Sequence, residues 1–397
     1  MTDIHADVAA EVAQLARASG RLALDTEFMG EGRYRTLLCL VQLAVPDGAE
    51  TRIEVFDPLH ADTDASALGS VLADPAIEVV VHAGRQDIAF LKRWLACEVH
   101  NVFDTQVAAG FAGLPAQASY DSLLGEVVGV RLAKTASYTR WDRRPLSAEQ
   151  IGYAREDVVH LLELAERLQD RLRRSGRLQW ALEECRPLEQ ASDVRDPEAI
   201  FQRLPRVRGL RPEAQATARE LVIWREQTAD QFDRPVASIL GDAPLLELAK
   251  RRPERRRELE QIRGLHPSAV RRYGDELLAA VRRGRERREP VLEEERRGPP
   301  PDGDDAAIVA LGEALVRARA RAAGLAYELV AARADLQAIV TSWRTGTPAV
   351  DVRTLEGWRR ELVGEELLAL LDGERRLAVH ERRVHAFPSE DGAAPTA

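Results

Sequence analysis

Cysteine is scarce: the 397 residues hold Cys39, Cys97 and Cys185 and no others. They stand far apart and form no CxxC pair, which argues against a zinc knuckle or a disulfide framework and fits a reducing compartment. No apolar run approaches the length of a membrane span. The opening MTDIHADVAAEVAQLA carries acids where a secretory signal has a basic start and an apolar centre. A cytoplasmic chain without membrane attachment is therefore expected. Lysine is confined to Lys92, Lys134 and Lys250, so arginine carries nearly all the positive charge. Arginine suits phosphate recognition, but a net charge of −9 argues against adhesion of the whole molecule to nucleic acid. There is no GxxxxGK[ST] loop, hence no sign of a nucleotide-driven motor.

What is present is a chain long enough for two or three domains. The hydrophobic pattern of the N-terminal part predicts a helix over 7–19 and strands over 21–28, 37–45, 52–56, 78–82 and 101–103. Helices are expected between the later strands. Three consecutive strands followed by alternating strands and helices imply a mixed sheet flanked by helices. Ser147 and Gln150 form a capping-box pattern that opens one long helix, ending near Ser175-Gly176. Residues 186–210 read as a Pro-punctuated connector. Residues 211–285 read as a helical domain with more basic than acidic residues, and 286–305 as a charged, Pro-rich linker. A second all-helical region is expected over 306–385, and a disordered tail over 386–397.

The stretch that organises the rest is LALDTEF, residues 22–28. Successive side chains on a strand point to opposite faces, so Asp25 and Glu27 share one face. Two acids together on an apolar strand repel each other and cost desolvation. A divalent cation with oxygen ligands offsets that cost, although a solvated acid pair at a strand end is a common alternative. Asp87 follows the turn His82-Ala83-Gly84 and falls in the first turn of a helix, where the helix dipole favours a carboxylate. Tyr153 and Asp157, four residues apart, share one helical face.

These three motifs, in this order, resemble the ribonuclease D family, in the tyrosine-bearing branch of the DEDD exonucleases. The resemblance covers Asp25-Thr26-Glu27-Phe28 with the strand LCLVQLA, His82-Ala83-Gly84 with Asp87, and Tyr153 with Asp157 in YAREDVVHLL. It implies a ribonuclease H-like α/β exonuclease domain over residues 1–185, followed by two all-α HRDC-type domains at 211–285 and 306–385. It implies a 3′→5′ exoribonuclease that releases 5′-mononucleotides and trims transfer-RNA precursors, working as a monomer. A DNA-repair exonuclease using the same site is the alternative.

The resemblance also implies two divalent ions, Mg²⁺ or Mn²⁺. Asp25 would bridge them, Glu27 and Asp157 would hold the ion that activates water, and Asp87 would hold the other. Tyr153 would orient the attacking water. Thr26, Phe28, Met29, His82, Lys134 and Arg144 are the residues expected to meet substrate. Phe28 and Met29 would wedge terminal bases, and Lys134 and Arg144 would track phosphates. The run from Lys250 to Arg257 is the expected nucleic-acid contact of the first helical domain. Removal of 211–397 is expected to leave a soluble exonuclease domain.

Overall fold

The computed structural model describes residues 3–60, 63–132, 140–287, 302–348 and 351–389. A five-stranded sheet has the order β3-β2-β1-β4-β5. Its strands are β1 (Arg21–Met29), β2 (Leu37–Asp47), β3 (Glu50–Phe56), β4 (Glu78–Val81) and β5 (Val102–Asp104). The first strand pairs antiparallel with β2 and parallel with β4, so it lies at the middle of a mixed sheet. Its alternation divides the core. Leu22 and Leu24 pack toward α1 (Asp3–Ser19), α2 (Ser66–Leu72) and α3 (Arg85–Leu95). Ala23 faces α4 (Thr105–Phe111) and the helices that follow it.

Further along come α5 (Tyr120–Leu123), α6 (Ala148–Val159), α7 (Leu161–Arg174) and α8 (Leu178–Glu189). The capping box is formed: the Ser147 hydroxyl accepts from Gln150 N, and Gln150 Oε1 accepts from Ser147 N. The single long helix expected here is instead two, because His160 leaves helical geometry (φ −108°, ψ 4°) and lets α7 turn its leucines into the core.

The connector expected at 186–210 is structured. The helix α8 runs through the expected boundary despite Pro187, which lies in its last turn and gives up only one backbone donor. A short helix, Pro197–Arg203, then places Phe201, Leu204 and Val207 in the core of the first helical domain. That domain consists of helices Pro212–Gln231, Val236–Ile239, Asp242–Arg251, Arg256–Leu259 and Pro267–Glu286. It docks on the β1–β2 loop: Arg33 pairs with Asp233 at 2.7 Å and Arg35 with Asp230 at 2.6 Å.

The third region repeats the long-short-medium-short-long order with helices Asp305–Ala323, Tyr327–Val330, Arg333–Thr345 and Arg353–Leu355, then a helix over 357–371 that widens into a π turn. Two expectations fail here. The region is not a detachable arm: Val309, Leu315, Ile339, Trp358 and Leu367 share one core with Phe103, Phe111 and Leu161 of the exonuclease domain. Removing 211–397 would uncover that core. Nor is the region all-helical with a tail from 386. Strands β6 (Arg375–His380) and β7 (Arg383–Pro388) form a hairpin whose Leu377 and Ala386 pack against the shared core. Residues 390–397 of the expected tail lie outside the described residues, as do 288–301 of the expected linker. Among the described residues, no helix is long and apolar enough to cross a membrane.

Candidate active site

The alternation that buries Leu22 and Leu24 puts Asp25 and Glu27 on the opposite face of β1, toward α6. The register between β1 and β2 shifts between Glu27 and Phe28, and such irregularities re-aim side chains beside functional sites. On α6, Tyr153 and Ala154 pack with Leu40 and Trp141, which lays this helix across β2. One turn further, Asp157 reaches the strand acids. Carboxylate oxygens of Asp25, Glu27 and Asp157 all lie within 4.8 Å of one another.

The fourth acid arrives from the other side. Asp87 is buried on α3, and its Oδ1 accepts a hydrogen bond from the Thr26 hydroxyl. Thr26, expected to meet substrate, thus turns its hydroxyl onto a neighbouring carboxylate on the α3 face of β1. The turn ahead of α3 is tightly specified. A Cβ on Gly84 would overlap the Val81 side chain, and Ala83 adopts a left-handed φ of 54°. Asp104, 1% exposed, ties this turn down: its carboxylate accepts from Ala83 N at 3.1 Å and Gly84 N at 2.9 Å, and also from Gln106 N at 2.8 Å at the start of α4.

Burial and crowding set the charge state. Asp25 is pushed well above the usual carboxylate range, first by burial and then by Asp87, Asp157 and Glu27. Burial, Asp157 and Asp87 raise Glu27 to about 8. Burial, with Glu156 second, raises Asp157 to about 7. Asp87 is raised by burial against the opposing effect of the Thr26 hydroxyl. Burial and the three clustered acids raise the Tyr153 hydroxyl to about 12. Without a counter-ion, these carboxylates cannot all ionise together at neutral pH. A set of hard oxygen donors under that constraint fits a divalent cation such as Mg²⁺ or Mn²⁺.

A measurable consequence follows from the sign of these shifts. Folded-state values above the unfolded ones mean that the metal-free protein takes up protons on folding, so its stability falls as pH rises from roughly 4 to 8. Calorimetry in EDTA is expected to give a lower Tm at ~pH 8 than at ~pH 5.5 from these groups. Saturating divalent ion is expected to raise Tm by roughly 5–10 °C at the higher pH and by less at the lower one. An ion effect that grows as pH falls would contradict the cluster's electrostatics.

Arg144 and His82, both expected at the substrate, bond within the protein. The Arg144 guanidinium grips Asp57 with two bonds of 2.6 Å and donates to Trp141 O at 2.7 Å and Cys39 O at 2.9 Å. It pins the segment before α6 to β2 and the end of β3, and all its donors are spent on that task. His82 Nδ1 lies 3.0 Å from the Thr105 hydroxyl, and burial lowers the pKa of its ring. It supports the β4–α3 turn. Phe28 is half-buried, edge-on to Phe90 with centroids 4.9 Å apart, and Met29 packs beside Trp141 and Cys39. Lys134 lies outside the described residues.

Sequence reasoning missed Gln42, Asp104 and Tyr120. Gln42 is fully buried opposite Asp25 and donates to Asp25 Oδ2 at 2.8 Å. An amide in the apolar run LCLVQLA was its signal, since a buried amide needs a partner. The Tyr120 ring lies 5.6 Å from that of His82, and burial, with the charges of Asp157 and Asp25 adding to it, raises the pKa of its hydroxyl.

Known proteins share this architecture. Residues 4–173 match the 3′-5′ exonuclease family and residues 214–281 match the HRDC domain. The chain is 36% identical over 367 residues to the ribonuclease D of Granulibacter bethesdensis, covering 91% of this chain and 90% of that one. It is 34% identical over 381 residues to the ribonuclease D of Gluconacetobacter diazotrophicus, covering 95% and 94%. The crystal structure of Escherichia coli RNase D, an exoribonuclease involved in structured RNA processing, superposes with a TM-score of 0.78 at 30% identity, covering 92% of this chain and 97% of that one.

Proposed function

Since the chain belongs to the ribonuclease D family and is a 3′→5′ exoribonuclease with an HRDC domain, we propose that it trims transfer-RNA precursors in the cytoplasm, as a monomer, one 5′-mononucleotide at a time. The observation that carries this reading is the meeting of Asp25 and Glu27 of β1 with Asp157, on the same helix as Tyr153, within 4.8 Å. Asp25, Glu27, Asp87 and Asp157 would hold two divalent ions, Mg²⁺ or Mn²⁺. Bound there, the ions would supply an ionised nucleophile near neutral pH and offset charge on the leaving oxygen.

The protein's own groups do the rest. Gln42 holds one oxygen of Asp25 and leaves the other for the cluster. Thr26 sets the rotation of Asp87, and Asp104 sets the turn from which Asp87 projects. Tyr153, with its pKa raised to about 12, stays protonated and is a poor base. It positions the attacking water through a hydrogen bond. Phe28 and Met29, half-buried at the end of β1, steady the terminal base with their exposed edges. In the HRDC domain, Arg251 pairs with Glu247 and Arg256 with Asp275, so the exposed Lys250, Arg255 and Arg257 are the phosphate contacts we assign. The repeated helix order over 305–371 supports a second HRDC-like unit.

A transfer-RNA precursor with a 3′ extension and a labelled 5′ end tests the proposal on a denaturing gel. With Mg²⁺ or Mn²⁺ the expected product is a ladder shortening by single nucleotides toward the mature end, and EDTA is expected to stop it. Internal fragments, or equal consumption of a matched DNA, would overturn the reading.

A further inference from the structure

The C-terminal hairpin pairs Arg376 with Phe387, Ala378 with His385 and His380 with Arg383. Residues directly opposite each other share a face. The inner face supplies Leu377 and Ala386 to the shared core. The outer face consists of Arg376, Ala378, His380, Arg383, His385 and Phe387, all exposed and none acidic. Three rings form a continuous row across it: His380 and His385 lie 6.1 Å apart, as do His385 and Phe387. Arg382 stands exposed in the turn beside Arg383. In a chain of net charge −9, this ribbon collects Arg375, Arg376, Arg382 and Arg383 against Glu374 and Glu381.

Exposed rings interleaved with guanidinium groups match the chemistry of a single-stranded nucleic acid, whose bases stack on flat rings and whose phosphates meet arginine. An acidic protein would satisfy the arginines and leave the row of rings without a partner of matching shape. We propose that the outer face of this hairpin is an accessory RNA-binding face, with Phe387 and His385 stacking on unpaired bases and Arg382 and Arg383 holding phosphates. The inference rests on the exoribonuclease reading only in taking RNA as the ligand.

The test uses full-length protein, a His385→Ala/Phe387→Ala variant and an Arg382→Gln/Arg383→Gln variant. Fluorescence anisotropy follows a labelled single-stranded RNA of ~20 nucleotides, with phosphorothioate linkages at its 3′ end, in Mg²⁺. Each variant is expected to bind about tenfold more weakly. The arginine variant is also expected to flatten the slope of log K against log salt by about 1.4. Melting temperatures are expected to match the wild type, because the altered side chains are exposed. Hydrolysis of a dinucleotide is expected to be unchanged, because none of the four altered side chains belongs to the acid cluster.

Equal affinity and salt slope in all three proteins would overturn the proposal. So would a wild type that sediments as a dimer and becomes monomeric on substitution, since the face would then serve self-association. A wild type inert on the dinucleotide would count against the exoribonuclease reading, and the anisotropy would still decide the hairpin.

Discussion

Asp25→Asn is expected to lower the rate of 3′-end hydrolysis by at least roughly 10³-fold while the protein stays folded. Asp25 lies at the centre of the cluster: Glu27 shares its face of β1, Asp157 approaches from α6, and Asp87 is close enough to raise its pKa. The substitution keeps the shape of the side chain. The new amide oxygen can still accept from Gln42 Nε2, so no buried donor is stranded. What it removes is one negative charge from a site that repels itself. Two opposite effects are therefore expected from a single change. Activity collapses, because the donor set loses its shared charge. The metal-free variant melts at a higher temperature than the wild type at ~pH 8, and divalent ion raises its Tm by less. Rate measurements on a labelled RNA and calorimetry with and without EDTA check both halves. A variant with near wild-type rate would sink the role assigned to Asp25, whatever its stability.

Much of this site was legible because strand alternation and helix spacing are local rules. A spacing of two along a strand puts Asp25 and Glu27 on one face, and a spacing of four along a helix puts Tyr153 and Asp157 on another. The parts that were not legible depend on contacts across the fold. Arg144 looked like a phosphate contact because the segment around it is basic and aromatic. Its partner, Asp57, is 87 residues away, and no local pattern announces that pairing. Thr26 looked like part of the substrate surface, yet its hydroxyl turns to the opposite face of β1 and clasps Asp87. The hairpin over 375–388 was hidden for a different reason. Its inner face needs few apolar residues, because Leu377 and Ala386 lie on a core already built by helices. The strand signal was diluted by arginine and histidine on the outer face.

Trp358→Ala is expected to cost about 3–5 kcal/mol, the largest stability loss we anticipate from a single substitution. Trp358 is 1% exposed and sits where the third region meets the exonuclease domain. Its ring stacks on Trp180 at 5.4 Å and meets the edge of Phe111 at 5.0 Å, and its indole N–H donates to Glu184 at 3.3 Å. Gly357 makes the approach possible: a Cβ there would overlap the Glu183 carboxylate, which accepts from Trp358 N at 3.3 Å. Because one hydrophobic cluster spans both units, the loss is expected to propagate. In calorimetry the exonuclease and third-region transitions should move down together, by about 10 °C, and hydrolytic activity should be lost over the same temperature interval. The HRDC domain, with its own separate core, should be affected less. Truncation at residue 302 should then yield an exonuclease domain that aggregates, since Trp180 and Phe111 lose their cover. If Trp358→Ala instead lowers one transition while activity persists to the wild-type temperature, the shared core does not couple the two units, and the third region is an arm after all.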